Sequence, residues 1–153
     1  MSDRTSDEQI TKNAWNEYIS DPRATVIEYN LIQYVVVGLI NGTIVDINDV
    51  FNDNSNDIWK KIRFLSPHSC CTLEWKNKQT VILNNVKAFT KRQGYGTALM
   101  NVVYEFFKNS PCKMSIKWYS SEEGEYLYEK LPFVKNVDKE NGTVSLLPYE
   151  MIF

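Results

Sequence analysis

The stretch with the most chemical promise is Val86-Lys87-Ala88-Phe89-Thr90-Lys91-Arg92-Gln93-Gly94-Tyr95-Gly96-Thr97-Ala98. A β-rich run ends there, two glycines follow, and a strongly amphipathic run begins at once. Glycines at such a junction let backbone N–H groups come close to a ligand, and the start of a helix adds partial positive charge. Together they suit an anion such as a pyrophosphate. Two familiar phosphate loops are excluded. A dinucleotide fingerprint needs a third glycine three residues after Gly96, where Leu99 stands, and a Walker loop needs Gly-Lys-Ser/Thr, which is absent. By itself, the two-glycine turn is a weak signal, and a plain strand-to-helix connection in which Gly96 permits tight helix–sheet packing is its simpler reading. His68, Cys70 and Cys71 make no zinc set, because adjacent strand residues point to opposite faces and no second Cys/His pair completes it.

Several elements must hold this junction in place. Ser6 followed by Gln9 is a capping-box pattern, and Ile10, Ala14, Tyr18 and Ile19 recur at helical spacing until Asp21-Pro22. Asn41-Gly42 is a two-residue hairpin signal that pairs strands near 32–40 and 43–48. Asp49 to Asn56 reads as a polar loop that caps a short helix from Ile58 to Leu65. Strands follow near Cys70–Trp75 and Thr80–Phe89, joined by Lys76-Asn77-Lys78. Tyr95, Ala98, Leu99, Val102, Val103, Phe106 and Phe107 mark a helix over Gly94 to Asn109. Lys113 to Tyr119 alternates like a strand, and Glu122 to Leu131 reads as a helix. Phe133–Val137 and Thr143–Leu147 flank a second hairpin signal, Asn141-Gly142. Strands that precede and then alternate with helices predict a mixed α/β or α+β sheet.

Composition narrows the class. With 153 residues, 43% hydrophobic and 24% charged, the chain is expected to form one globular domain. Seventeen Lys and Arg against 19 Asp and Glu leave a net charge of −2, which weighs against a nucleic-acid partner. A local basic patch at Lys87, Lys91 and Arg92 can still attract an anion. The longest apolar run, Tyr34 to Ile40, is far short of the ~20 residues that span a bilayer, so no membrane partner is expected. Met1 to Glu8 is polar and acidic, unlike a signal peptide. Three cysteines without a pairing pattern predict a reducing, cytoplasmic setting.

Lys91-Arg92-Gln93-Gly94-Tyr95-Gly96 resembles the (Arg/Gln)-x-x-Gly-x-(Gly/Ala) acetyl-CoA loop of the GNAT acetyltransferase superfamily. Val86-x-Ala88 resembles the end of that family's fourth strand, and Thr97-Ala98-Leu99-Met100 its following helix start. Leu127-Tyr128-Glu129-Lys130-Leu131-Pro132-Phe133 resembles its "Phe-Tyr-Glu-Lys-Leu-Gly-Phe" signature. The two motifs stand in the family's order about 35 residues apart, the likeness being good over residues 80–135 and loose over 1–79.

The resemblance implies a single GNAT-like domain over 1–153. Its mixed, mostly antiparallel central sheet would be flanked by helices, with an N-terminal helix in 1–22 and the acetyl-CoA core in 80–135. It also implies an acyl-CoA-dependent N-acyltransferase that moves an acetyl group from acetyl-CoA to a primary amine. That amine would be a small molecule, a protein lysine or an N-terminus, and no metal is implied. Val86 and Ala88 would offer main-chain hydrogen bonds to the pantetheine arm, and Lys91, Arg92, Gln93, Gly94, Tyr95, Gly96 and Thr97 would wrap the pyrophosphate. Tyr128 would sit near the CoA sulfur as general acid. Two positions depart from the pattern: Pro132 replaces a glycine, and Ser121 stands where the family often has an Asn that contacts CoA. They keep a second reading open, a non-catalytic module of this fold that binds CoA or a protein. A homodimer is also left open.

A lysine-like amine with pKa ~10.4 costs about 4 kcal/mol to deprotonate at pH 7.5, so a general base is expected. Glu74, on the strand beside Thr80–Phe89, is the leading candidate, with a solvent-facing role as its alternative. Asp46 and Asp49 are candidates for holding a cationic acceptor.

Overall fold

Strands take up more of the described chain than helices do, and side chains are buried at every second position along Ser69–Trp75. The computed structural model describes residues 6–53, 59–77, 79–90, 93–110, 114–121, 127–128, 130–136, 146–151 and 153. Among these, the order is α1 (Asp7–Tyr18), β1 (Thr25–Tyr29), β2 (Ile32–Ile40), β3 (Thr43–Val45), α2 (Ile47–Asn52), β4 (Lys60–Leu65), β5 (Ser69–Trp75), β6 (Thr80–Ala88), α3 (Tyr95–Lys108), β7 (Ser115–Ser121), β8 (Val134–Asn136) and β9 (Leu146–Met151). The strands form one sheet in the order β1-β2-β4-β5-β6-β7-β9-β8, with β3 paired to β2. Only β6 and β7 run parallel. This is the expected mixed, mostly antiparallel sheet flanked by helices, in a single domain.

Two apolar faces clad the sheet. On one, Val35, Val37 and Leu65 meet Ala14, Trp15 and Tyr18 of α1. The Ser6 side chain accepts from Gln9 N–H at 3.1 Å and caps α1, while the Gln9 side chain turns to Asn13 and leaves the capping box half closed. The Trp15 indole N–H donates to the Gln33 carbonyl at 2.8 Å and fastens α1 to β2. On the other face, α3 buries Ala98, Leu99, Met100, Val102, Val103 and Phe107 against β4, β5 and β6. No described helix is long and apolar enough to cross a membrane.

The expected Asn41-Gly42 hairpin forms, with φ of 52° and 80°, the left-handed pair a two-residue turn requires. A second two-residue turn, at Asn30-Leu31, carries no such sequence signal. Leu31 takes φ 64° with its side chain 93% exposed. A bulky residue there is strained by about 1–2 kcal/mol.

Three expectations are corrected. The strand expected over 43–48 ends at Val45, the stretch from Asp49 to Asn56 is not all loop, since Ile47–Asn52 forms α2, and the helix expected from Ile58 to Leu65 is strand β4. Lys60, Ile62 and Phe64 alternate inward, and pairing with β2 on one side and β5 on the other overrides local preference. Lys60 is the misleading residue. Although its side chain is buried, its Nζ donates to the carbonyls of Val50 at 3.3 Å and Asp53 at 2.9 Å, closing the end of α2. Helix α2 lies on β2 because Gly38 has no side chain: an added Cβ would meet Val50 Cγ2 at 2.7 Å. Of the helix expected over Glu122 to Leu131, Leu127 and Tyr128 are described and helical, while 122–126 lie outside the described residues. So does the turn at 141–142; β8 and β9 pair antiparallel, but Asn136 lies opposite Tyr149 rather than the Leu147 that a two-residue turn there would set against it. Strand β9 runs on to Met151 and inserts between β7 and β8.

These features generate two stability predictions. Gly38→Ala forces a stiff, buried valine aside and lowers stability by about 1–3 kcal/mol, seen as a fall of several degrees in Tm. Leu31→Gly relieves the left-handed strain, offset by glycine's greater unfolded-state freedom. It raises stability by about 0.5–1 kcal/mol, a gain of roughly 2 °C by calorimetry.

Candidate functional site

The site is built on an irregularity in β6. Cys70 opposes Lys87 while Thr72 opposes Asn84, so β6 carries one extra residue and bulges. Asn85 sits in the bulge at φ 54°, a conformation Asn tolerates better than other side chains. Beyond the bulge Val86 is half-buried and Ala88 exposed, although β6 lies inside the sheet.

The parallel neighbour reinforces this. Strands β6 and β7 pair only at Thr80↔Ser115, Val81↔Ile116 and Ile82↔Lys117. From Leu83 onward they part, and β7 keeps its other edge on β9 as far as Ser121. The result is a fork. Along its β6 arm, backbone groups from Leu83 to Ala88 face a gap that no described strand fills, an edge able to hydrogen-bond an extended ligand as a strand would.

The start of α3 closes the fork. Gly94 is the N-cap at φ 76° and has no side chain to cap the helix, so among the described residues its first N–H groups have no side-chain cap. They and the helix dipole form an anion cradle. A Cβ on Gly96 would meet Leu127 Cδ2 at 3.2 Å and Ala88 Cβ at 3.8 Å, so glycine lets the helix start, the end of β6 and residue 127 come together. Tyr95 stacks on His68, with ring centroids 4.1 Å apart and planes within 5°, and Phe89 N–H donates to the His68 carbonyl at 3.0 Å. His68 thus braces the junction.

Tyr128 follows Leu127 into the core. It packs edge-on against Trp118 of β7 at 5.1 Å and against Tyr149 at 5.3 Å, next to the point where β7 leaves β6. Burial pushes its hydroxyl up to about 12, so the phenol keeps its proton at every physiological pH. Tyr34, fully buried on β2, is pushed up to about 12 by the same cause. Among the described residues its hydroxyl has no hydrogen-bond partner.

The structure gathers Val86, Ala88, Gln93, Gly94, Tyr95, Gly96, Thr97 and Tyr128 around one fork. Ser121 ends β7, with its side chain outside the described residues, as are Lys91 and Arg92 entirely. Lys87 does not add free charge: its Nζ pairs with Asp7 at 2.7 Å, on the α1 side. Glu74 is not brought to Tyr128. It shares its face of β5 with Cys70 and Thr72, opposite Cys71, Leu73 and Trp75, and pairs with Lys61 at 3.5 Å. Cys70 and Cys71 point to opposite faces as expected, and burial pushes the Cys71 thiol up. Asp46 lies far from the fork, between β3 and α2, and Asp49 is on α2. The bulge was missed in sequence, although Asn84-Asn85 inside a strand is its signal, since Asn is depleted from strands and tolerates positive φ.

The architecture is one already seen. A crystal structure described as a "putative acetyltransferase from Sphaerobacter thermophilus DSM 20745" matches with a TM-score of 0.51 at 9% identity, over 85% of this chain and 97% of that one. No family model and no curated protein matches the chain. The likeness extends to the fold.

The buried acids carry a pH signature. Tyr34 and Tyr128 ionise near 10 when unfolded and only near about 12 when folded, so their contribution is complete below pH 10 and is lost as pH rises through 12. Cys71 acts in the same direction from pH 9.0 upward. Stability should fall between pH 10 and 12, and Tyr128→Phe should remove part of that slope. A Tyr128 phenol titrating near 10 in the folded protein, read by ultraviolet absorbance, overturns the assignment.

Proposed function

We propose that this protein is an N-acetyltransferase that moves an acetyl group from acetyl-CoA to a primary amine by direct attack. The observation that carries the reading is the fork. A bulged β6 leaves β7 directly beside an uncapped helix start, an extended polar edge leading into an anion cradle. The shape suits a ligand with a peptide-like arm and a diphosphate. The pantetheine arm would lie along Val86 and Ala88, and the diphosphate on Gln93 to Thr97, with Lys91 and Arg92 as cationic partners. Ser121 would offer a hydroxyl to the same ligand.

In the reaction, the amine nitrogen's lone pair forms the new C–N bond to the acetyl carbon. The C–S bond breaks, and its electron pair leaves on sulfur. Tyr128, still protonated at neutral pH, supplies a proton to that sulfur, and the nitrogen's surplus proton passes to a base. Holding both reactants in one orientation supplies much of the rate. If Glu74 is that base, it acts from the α1 face, across the sheet from Tyr128. That separation favours a second reading, a module that binds CoA without transferring the acetyl group.

Thermal unfolding with acetyl-CoA at about 100 times its dissociation constant tests the donor. A stabilisation of roughly 2.7 kcal/mol is expected, about 5–10 °C, reproduced by CoA and by neither ATP nor NAD. No shift removes the reading. Tyr128→Phe should lower kcat by about tenfold or more with the acetyl-CoA Kd unchanged. Glu74→Gln should change kcat within about threefold, as for loss of an exposed ion pair. CoA binding with no transfer to any amine leaves the binding module standing.

A further inference from the structure

Away from the fork, a cavity of about 530 Å³ opens between β1, the start of α2 and the last two turns of α3. Its size lies within the range of small-molecule sites. The walls are Ile27 and Tyr29 of β1, Phe51 of α2, and Val102 and Phe106 of α3. Phe51 and Phe106 lie 6.0 Å apart, so with Tyr29 three aromatic rings line one cavity.

The rim has a definite sign. Asp46 and Glu105 both border the cavity. Asp46 is the N-cap of α2 without making a side-chain cap hydrogen bond, and no ion pair engages Glu105 among the described residues. Arg23, the cation on the rim, is committed elsewhere: it grips Asp21 through Nε at 3.1 Å and Nη2 at 2.8 Å, with Asp46 adding to its field. With Arg23 paired to Asp21, the carboxylates Asp46 and Glu105 leave the rim a negative balance. The C-terminus of the 14-residue α3 points its partial negative charge at the same rim. Lys108, the basic residue of that last turn, lies instead over the Tyr104 ring at 5.7 Å.

We propose that this cavity binds a small organic ammonium ion with an apolar body, its cationic head at Asp46 and Glu105 and its body against Tyr29, Phe51 and Phe106. Aromatic faces and carboxylates attract the same charge, and the rings also accept the hydrocarbon part. The site is distinct from the fork. Strand β1 is four strand intervals from β6, about 19 Å at ~4.8 Å each. A head group at Glu105 is also roughly 15 Å along α3 from Tyr95. An amine bound here cannot attack a carbonyl held at the fork, so the cavity is a second ligand site, joined to the first through one helix.

The test is an NMR titration of the full chain with phenethylammonium chloride, using phenethyl alcohol as the neutral comparator. Saturable amide shifts are expected at Tyr29, Asp46, Glu105 and Phe106, with the alcohol about tenfold weaker. Asp46→Asn and Glu105→Gln change exposed residues and should each weaken binding about threefold, and about tenfold together. Equal binding of the alcohol, indifference to both substitutions, shifts confined to Gly94–Thr97, or no saturation at millimolar concentration each overturn the proposal. Acetyl-CoA added to Glu105→Gln should still stabilise it, so failure of one site is told apart from failure of the other.

Discussion

Everything at the candidate site depends on one parallel contact that stops early. Strands β6 and β7 share three residue pairs and then separate. Parallel pairing in this fold requires a crossover helix, and α3 supplies it. With the strands joined at one end and parted at the other, the crossover brings an uncapped helix start to the open end. The bulge at Asn85 lies on the parted length of β6, between its last pair with β7 and the start of α3.

The two apolar faces divide the work. The α1 face is fastened by the Trp15 indole on the Gln33 carbonyl and by the Lys87–Asp7 ion pair. The α3 face carries both openings, the fork at the N-terminal end of the helix and the aromatic cavity at its C-terminal end. A single helix dipole gives them opposite preferences, anion at one end and cation at the other. Its buried stripe, from Ala98 to Phe107, holds both ends in fixed relation to the sheet.

Much of the fold was legible because it rests on local rules. Ser6 caps α1, Asn41-Gly42 turns the first hairpin, and the apolar stripe of α3 needs no knowledge of its partners. The failures lie where partners decide. Lys60 to Leu65 alternates over only four residues, Lys61 to Phe64, and puts a lysine at an inward position, so flanking by β2 and β5 is what makes it a strand. Ile47–Asn52 is rich in Asn and Asp, yet Gly38 opens a place on β2 where Ile47 and Val50 can be buried.

The sequence by itself determined the glycine junction, the helix that follows it and the tyrosine downstream, because glycine conformation, apolar period and side-chain chemistry are properties of short segments. Only the tertiary structure decided which of the remaining residues meet. It set Glu74 and Tyr128 on opposite faces, bound Lys87 to Asp7, braced Tyr95 with His68 and assembled Tyr29, Phe51 and Phe106 around one cavity. The physical reason is register. A side chain's face depends on the alternation of its strand and on every bulge before it, and that alternation acquires a direction only when neighbouring strands and helices cover one side.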